Sequence, residues 1–308
     1  MRLATVSTAD GPLAVALLNN EAALNIAKAA KDLPGVAGEI LRAGTIQAIV
    51  DKSAEALPAL QEITKEANSG GHADATFDPR GSFLAPIPHP RKNVFCVGRN
   101  YAEHIAEGER AQNTKIGVTD HPVYFTKPAT AVVGHEGDVL LFPSVSEAID
   151  YEVELAVVIG KAGRNIPKER AYDHVFGYTI LNDITARDVQ RRHGGQYFKG
   201  KGLDGSCPIG PWIVTADEIE DPHNIAIRLT VNGDMRQDGQ TRDMIFDIPT
   251  LIASLSEGLT LEPGDILATG TPSGVGYAMD PPQFLKAGDT VVCDIPKIGQ
   301  LKNTVRLA

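Results

Sequence analysis

The chain has 308 residues, of which 43% are hydrophobic and 22% are charged, and its formal net charge is −10. This composition is typical of a folded globular protein and excludes a disordered, collagen-like or coiled-coil chain. Because Lys and Arg form no stretch that could follow a phosphate backbone, the sequence argues against nucleic acid as a partner.

Residues 1–80 are predicted to form a small α/β domain. Leu3–Val6 and Leu13–Leu18 are short apolar runs separated by Asp10-Gly11, a pair typical of a hairpin turn. The Ala- and Leu-rich stretch Glu21–Asn68 has helical spacing and predicts two or three helices. A Gly- and Pro-rich linker follows, and we place the domain boundary there.

Residues 81–308 are predicted to form a mainly β domain, so the fold class is α+β. Only Thr185–Arg192 and Ile248–Ser256 have helical patterns, and strands so evenly spaced favour a sandwich or barrel over a doubly wound sheet. The predicted strands are Val94–Val97, Val123–Thr126, Val139–Phe142, Glu152–Ile159, Val175–Asn182, Trp212–Thr215, Ile227–Val231 and Val291–Ile295.

The cysteines and the apolar segments indicate the compartment. Cys96, Cys207 and Cys293 are far apart and odd in number, so they predict reduced thiols and not a disulfide framework. The apolar runs are far shorter than a membrane span, and the N-terminus lacks the apolar core of a secretion signal. We therefore expect a cytoplasmic protein without a membrane partner.

The segment Asp150–Gly160 places two carboxylates on one face of a strand. Alternate side chains of a strand point to opposite faces, so Glu152 and Glu154 share a face that continues as Ala156 and Val158. Because both faces look buried, the carboxylates enter a partly enclosed space, where two anions are costly unless a cation or protons neutralise them. The alternative is a solvated strand end that faces water.

A third carboxylate, Asp183, follows the predicted strand Val175–Asn182, where the chain turns into a helix. It could cap that helix, or it could bind a metal together with Glu152 and Glu154. Three carboxylates without a nearby His or Cys form an all-oxygen site, which suits Mg²⁺, Mn²⁺ or Ca²⁺ better than zinc. The sequence predicts Mg²⁺ here.

Five separated motifs occur in order between Pro90 and Ala308. They are Gly98–His104, Asp150–Glu154, Leu181–Gln190, Lys199–Asp204 and Thr269–Gly276. Together they resemble the fumarylacetoacetate hydrolase family. The resemblance implies a mixed β-sandwich roll, a homodimer, and Mg²⁺ or Mn²⁺ on Glu152, Glu154 and Asp183. It also implies a 2-oxo acid or its enol as the ligand, with keto and carboxylate oxygens on the metal.

The resemblance assigns roles to cationic and amide side chains near the carboxylates. Three carboxylates exceed the charge of a divalent cation, and Lys201 is identified as the lysine that compensates and stabilises a developing enolate. Lys199 is predicted to be a solvated surface residue. Arg187 and Gln190 lie about one turn apart, Gln190 as a donor to an oxyanion. Arg187 could bind substrate or pair with a ligand carboxylate.

His104 and Glu107 are three residues apart, so on a helix the carboxylate can orient the imidazole and raise its basicity. On spacing alone they could be an exposed pair without consequence. In the family, the corresponding His and Glu lie in a lid that orders over the substrate and activates water.

Two further substrate-binding candidates come from the resemblance. Thr271 could bind the substrate carboxylate through its hydroxyl or through neighbouring amides, and Arg99 could bind substrate or form an ion pair at the base of the lid. The lid segment 108–121 and the loop 277–284 look longer than in compact members, and such loops set substrate choice. The long lid leads us to expect a substrate larger than oxaloacetate.

The predicted function is that of a metal-dependent hydrolase cleaving a C–C bond in an acylpyruvate or 2,4-diketo acid. In this hypothesis His104 and Glu107 activate the attacking water, and the metal and Lys201 stabilise the metal-bound enolate that leaves. One alternative is an oxaloacetate decarboxylase or tautomerase, or a hydroxymuconate-type isomerase, on the same scaffold. Another is a 2-oxo-acid-binding protein without catalytic activity.

Overall fold

The computed structural model describes residues 1–19, 21–81, 83–115 and 117–308, and these form three sheets and eight α-helices. The strands are β1 (Arg2–Thr8), β2 (Gly11–Leu17), β3 (Ala23–Asn25), β4 (Thr76–Phe77), β5 (Val94–Gly98), β6 (Val123–Lys127), β7 (Val132–Val133), β8 (Asp138–Leu141), β9 (Ile149–Asp150), β10 (Val153–Ile159), β11 (Val175–Asn182), β12 (Thr185–Ala186), β13 (Cys207–Thr215), β14 (Ala226–Val231), β15 (Asp234–Gln240), β16 (Ile266–Ala268), β17 (Thr290–Ile295) and β18 (Gly299–Leu307). The helices are α1 (Ile26–Ala29), α2 (Gly35–Arg42), α3 (Ile46–Asp51), α4 (Ser53–Asn68), α5 (Ala102–Gln112), α6 (Arg187–Arg192), α7 (Phe198–Lys201) and α8 (Ile248–Ser256).

An eleven-stranded sheet runs through the molecule in the order β4-β3-β2-β1-β13-β11-β10-β16-β5-β6, with β7 paired to β13. A five-stranded sheet, β15-β14-β17-β18-β8, packs on one side of it. Strand β10 therefore has neighbours on both edges and apolar layers on both faces, which is the setting of a central strand.

The predicted alternation along β10 is confirmed. Val153, Leu155 and Val157 belong to an apolar cluster shared with β14 and β17 of the smaller sheet. Ala156 and Val158 belong to a second cluster, which is shared with helices α2, α3 and α4. Because both faces are buried, the side chains that precede these residues on the strand also enter the interior.

The N-terminal residues join the large sheet through β1. The predicted hairpin is confirmed, with Thr8 opposite Gly11 across the turn, and β1 pairs with β13 so that Leu3 lies opposite Ile213. Between Glu21 and Asn68 the chain forms strand β3 and four helices, of which α4 has 16 residues, where the sequence predicts two or three helices. The sheet thus continues across the predicted boundary at residue 80.

The eight predicted strands are present, but several elements of the β domain were missed. Strand β15 is rich in Asp and Gln and lies at a sheet edge, and β16 has only three residues, so neither shows a strong apolar alternation. Strand β18 and helices α5 and α7 were also not predicted. The helix predicted from Thr185 begins two residues later, because Thr185 and Ala186 pair with β9 as strand β12.

The three cysteines are buried and free. None of the helices in the described part of the chain is long and apolar enough to cross a membrane.

We predict that Leu3→Ala lowers the free energy of unfolding by about 2–5 kcal/mol, because Leu3 is fully buried in the cluster that joins β1 to β10 and the helices. Urea denaturation measures this change. Val36→Ala on α2 is the control, since Val36 is 60% exposed, and it should change the value by no more than about 0.5 kcal/mol. An equal effect of both substitutions would contradict the assignment of Leu3 to the core.

Candidate active site

The pairing of β10 with β11 brings the three predicted metal ligands together. Val153 lies opposite Asn182, and the Asp183 amide donates to the Glu152 carbonyl oxygen at 2.8 Å. Glu152, Glu154 and Asp183 are buried, and one carboxylate oxygen from each lies within 4.8 Å of the others. Neither alternative from the sequence holds: the strand end is not solvated, and Ala186, not Asp183, precedes α6 as its cap residue.

Two cationic side chains predicted to act at the site bind these carboxylates. The Lys201 ammonium donates to Glu152 Oε2 and to Asp183 Oδ2, each at 2.7 Å. The Arg187 guanidinium donates to Glu152 Oε1 at 2.6 Å and to Asp150 Oδ2 at 2.9 Å. Of the two alternatives for Arg187, the structure therefore shows the ion pair with a candidate ligand carboxylate. Lys199 is exposed, as predicted.

Sequence reasoning missed a third cation, Lys127, and a fourth carboxylate, Asp150. Lys127 is fully buried at the end of β6, and its ammonium donates to Asp183 Oδ1 at 2.7 Å and also to the Lys201 carbonyl oxygen. Asp150 is also fully buried and accepts from Arg187 and from the Gly276 amide. A charged residue that ends an apolar strand is the signal that could have identified Lys127.

The buried charges explain the pKa values at the site. Four carboxylates face three cationic side chains, which leaves one negative charge. Burial alone would raise the pKa of Glu152, but the charges of Lys201 and Arg187 hold it well below its ordinary value. Burial lowers the pKa of Lys201, but Asp183 and Glu152 raise it by more, so Lys201 remains protonated.

Glu154 differs from the other carboxylates because, among the described residues, it has no cationic partner. Its Oε2 accepts from the Gly270 amide at 2.7 Å, and burial, together with the charges of Asp183 and Glu152, raises its pKa well above the usual range. A divalent cation would remove this imbalance, and a set of buried carboxylate oxygens is the donor set that hard cations prefer. The residues present therefore fit Mg²⁺ or Mn²⁺.

The loop 269–277 supplies backbone amides to the site. Gly270 has φ +101°, and a Cβ atom there would lie 2.8 Å from the Asn100 Cβ atom, so glycine is required for its amide to reach Glu154. The Thr271 hydroxyl donates to the Val153 carbonyl oxygen and accepts from Gln237, both at 2.8 Å. This hydroxyl is therefore already engaged. Of its two neighbours, Gly270 donates its amide to Glu154 and Pro272 has no N–H, so neither offers a free amide for the predicted contact with a substrate carboxylate.

The predicted His/Glu pair is formed on α5. His104 Nδ1 lies 2.8 Å from Glu107 Oε1, and the second oxygen of Glu107 accepts from the Gly274 amide at 2.8 Å. Both side chains are only about one tenth exposed, so the alternative of an exposed surface pair is wrong. The lid helix ends at Gln112, and Ile116 of the predicted lid segment lies outside the described residues.

A pocket of about 190 Å³ brings the predicted residues together. It is lined by His104, Glu152, Glu154 and Lys201, and by the four substrate-binding candidates Arg99, Arg187, Gln190 and Thr271. Sequence reasoning missed Phe125, Arg191 and Tyr197 among the lining residues, whereas Gln112 and Tyr277 come from the two loops predicted to set substrate choice. Glu107 and Asp183 are not among the lining residues, but each contacts one of them: Glu107 contacts His104, and Asp183 accepts a hydrogen bond from Lys201.

A buried carboxylate cluster beside a lysine and a histidine, under one lid helix, defines a divalent-metal-dependent enzyme. Residues 93–306 match the family described as "Fumarylacetoacetate (FAA) hydrolase C-terminal". The chain belongs to this family, and the predicted resemblance and fold class are confirmed.

Relatives show the range of the family. Oxaloacetate tautomerase YisK of Bacillus subtilis (strain 168) is 50% identical over 237 residues, which cover 74% of this chain and 77% of the relative. A solved fumarylacetoacetate hydrolase from psychrophilic Exiguobacterium antarcticum is 34% identical over the full length of both chains, with a TM-score of 0.79. Maleylpyruvate hydrolase from Sphingobium sp. SYK-6, solved with manganese(II) ion and pyruvate, is 30% identical over both full chains, with a TM-score of 0.76.

We predict that Glu154→Gln weakens Mn²⁺ binding by at least about tenfold, because an oxygen site that loses an anionic ligand loses both charge and a coordination position. Isothermal titration calorimetry with Mn²⁺ measures the affinity. Glu55→Gln is the matched control, since Glu55 is exposed on α4. Unchanged affinity in Glu154→Gln would exclude Glu154 as a ligand.

Proposed function

We propose that the protein is an oxaloacetate tautomerase, which interconverts the keto and enol forms of oxaloacetate with Mg²⁺ or Mn²⁺ at its carboxylate cluster. The observation that carries this proposal is the His104–Glu107 pair, a proton-transfer group that lines the same small pocket as the carboxylates and Lys201. The 50% identity to a curated oxaloacetate tautomerase also supports it.

Glu152, Glu154 and Asp183 would hold the cation, which when bound supplies positive charge that stabilises negative charge developing on the keto oxygen of a 2-oxo acid. Lys201 adds to this stabilisation. Its ammonium has three N–H donors, of which two bind Glu152 and Asp183, so one is left for a substrate oxygen. Because Lys201 stays protonated, it acts as a donor and not as a base.

His104 is suited to move the proton. Its Nδ1 is bonded to Glu107, so Nδ1–H donates to that carboxylate and Nε2 is the free basic nitrogen. His104 removes a proton from the carbon between the keto group and the second carboxylate and returns it to the keto oxygen, which yields the enol. Glu107 stabilises the imidazolium that forms between these two transfers, and the Gly274 amide holds Glu107 in place.

The size of the pocket favours a small substrate. A volume of about 190 Å³ is below the range of about 300–1,000 Å³ found for sites that take drug-sized ligands. The long lid segment 108–121 leads to the expectation of a substrate larger than oxaloacetate, but the pocket volume does not support that expectation. A four-carbon acid suits this volume.

Acylpyruvate hydrolysis is the second candidate, and the same His104–Glu107 pair favours it. A histidine oriented by a carboxylate can act as a general base on water as well as on a carbon acid. The structural similarity to maleylpyruvate hydrolase supports this reaction in the same pocket. Tautomerisation of oxaloacetate needs no attacking water, whereas hydrolysis of an acylpyruvate does. Assays with these two substrates therefore measure the two activities separately.

We predict that His104→Ala lowers kcat for oxaloacetate tautomerisation by about 10²–10⁴, the usual contribution of a general base. The ultraviolet absorbance of the enol follows the reaction, and Mn²⁺ affinity should stay unchanged. His72→Ala, in the N-terminal part of the chain, should retain full activity. If Mn²⁺-loaded wild-type protein does not accelerate the reaction over buffer, the proposed function is wrong.

A substrate panel distinguishes the two candidates. We expect kcat/KM for oxaloacetate tautomerisation to exceed kcat/KM for cleavage of acetylpyruvate or longer acylpyruvates. The pocket is small, and proton transfer requires fewer catalytic groups than hydrolysis of a C–C bond does. Pyruvate release, measured with a coupled dehydrogenase, reports both cleavage and oxaloacetate decarboxylation. A higher kcat/KM for any acylpyruvate would favour the hydrolase instead.

A further inference from the structure

Three arginines line the pocket, and they differ in what their guanidinium groups bind. Arg187 is committed to Asp150 and Glu152. Arg99 and Arg191 donate no hydrogen bond and form no ion pair within residues 1–19, 21–81, 83–115 and 117–308. Two cations without a counter-charge, facing one pocket of a protein with net charge −10, point to an anionic ligand.

Both arginines are held by contacts that leave their N–H groups free. The Arg99 guanidinium carbon lies 6.0 Å from the ring centroid of Tyr197, and that of Arg191 lies 5.5 Å from the ring centroid of Tyr277. A guanidinium over an aromatic ring contacts the ring with its charge and keeps its hydrogen-bond donors available. The pocket thus presents oriented donors at both positions.

An aromatic wall connects Arg99 to the catalytic lysine. Tyr197 packs edge to face on Phe125 at 5.4 Å between ring centroids, and Phe125 lies 5.0 Å from the Lys201 ammonium. Apolar rings between two cationic positions match a molecule with a charged group at each end and carbon between them.

The backbone at Arg99 supports a functional role. Arg99 has a backbone φ of +60°. This angle lies in the left-handed region, which residues other than Gly, Asn and Asp rarely adopt. Such a conformation is strained for a residue with a Cβ atom, and strained residues cluster at ligand-binding positions. The fold holds Arg99 against the pocket in this strained conformation, and among the described residues its guanidinium has no hydrogen-bond or ion-pair partner.

We infer that Arg99 and Arg191 form a subsite for the second carboxylate of the substrate, so that the protein selects dicarboxylic 2-oxo acids over monocarboxylic ones. The inference rests on the proposed function, because it uses the same pocket and the same carboxylate cluster for the 2-oxo-acid end. The 2-oxo-acid end binds at the cluster, and the distal carboxylate accepts from the two guanidinium groups.

The test compares oxaloacetate with 2-oxobutyrate, which carries a methyl group in place of the distal carboxylate. Calorimetry on Mn²⁺-loaded protein measures the dissociation constant of each compound. This measurement reports binding and does not depend on catalysis. We expect the wild type to bind oxaloacetate about 10- to 100-fold more tightly, the effect of a hydrogen bond to a charged group. Arg99→Gln and Arg191→Gln should each reduce this ratio, and the double variant should bring it close to one.

Matched controls separate this effect from general damage. Arg192→Gln changes the neighbouring residue of α6, which is exposed and does not line the pocket, and should leave the ratio at its wild-type value. Affinity for 2-oxobutyrate and for Mn²⁺ should be unchanged in all variants. Arg191→Lys keeps the charge and should retain part of the preference.

The outcomes for the inference and for the proposed function are distinct. If the double variant keeps the wild-type preference for oxaloacetate, or if the wild type has none, the subsite is wrong even where tautomerase activity is present. If the preference disappears in the double variant but wild-type protein does not catalyse tautomerisation, the dicarboxylate subsite stands and the proposed reaction fails.

Discussion

The structure depends on how four buried carboxylates are neutralised. Asp150, Glu152, Glu154 and Asp183 lie in the interior, where an isolated anion would cost several kcal/mol. Three cationic side chains compensate most of this charge, and each comes from a different element: Lys127 from β6, Arg187 from α6 and Lys201 from α7. These elements are therefore tied together at one point, and the remaining negative charge suits a divalent cation.

One loop connects this charged centre to the lid. Amides of the loop 269–277 bind Glu154, Asp150 and Glu107, so two acids of the buried cluster and the acid beside His104 are held by the same short backbone segment. Tyr277 packs on the lid as well: a Cβ atom at Gly108 would lie 2.6 Å from its hydroxyl. The position of the His104–Glu107 pair is thus coupled to the position of the carboxylates through backbone contacts.

The same centre is compatible with several reactions, because a carboxylate cluster beside a lysine and a His/Glu pair does not specify what else a substrate carries. The curated and solved relatives include tautomerases, isomerases and hydrolases. Selectivity must therefore come from the residues around the centre. In this chain those are the aromatic rings and arginines that line the pocket beyond the cluster, together with its small volume.

The sequence by itself determined the parts of the site that lie within a few residues of each other. The strand period places Glu152 and Glu154 on one face, and a spacing of three residues brings His104 to Glu107 wherever that segment is helical, because both relations depend only on local backbone geometry. Tertiary structure decided the rest. Lys127 meets Asp183 across 56 residues of sequence and Gly276 meets Asp150 across 126. Such contacts depend on sheet order and loop packing, which no local periodicity encodes. For this reason only the folded chain shows the roles of Lys127 and Asp150, the engaged Thr271 hydroxyl and the packing of Arg191 on Tyr277.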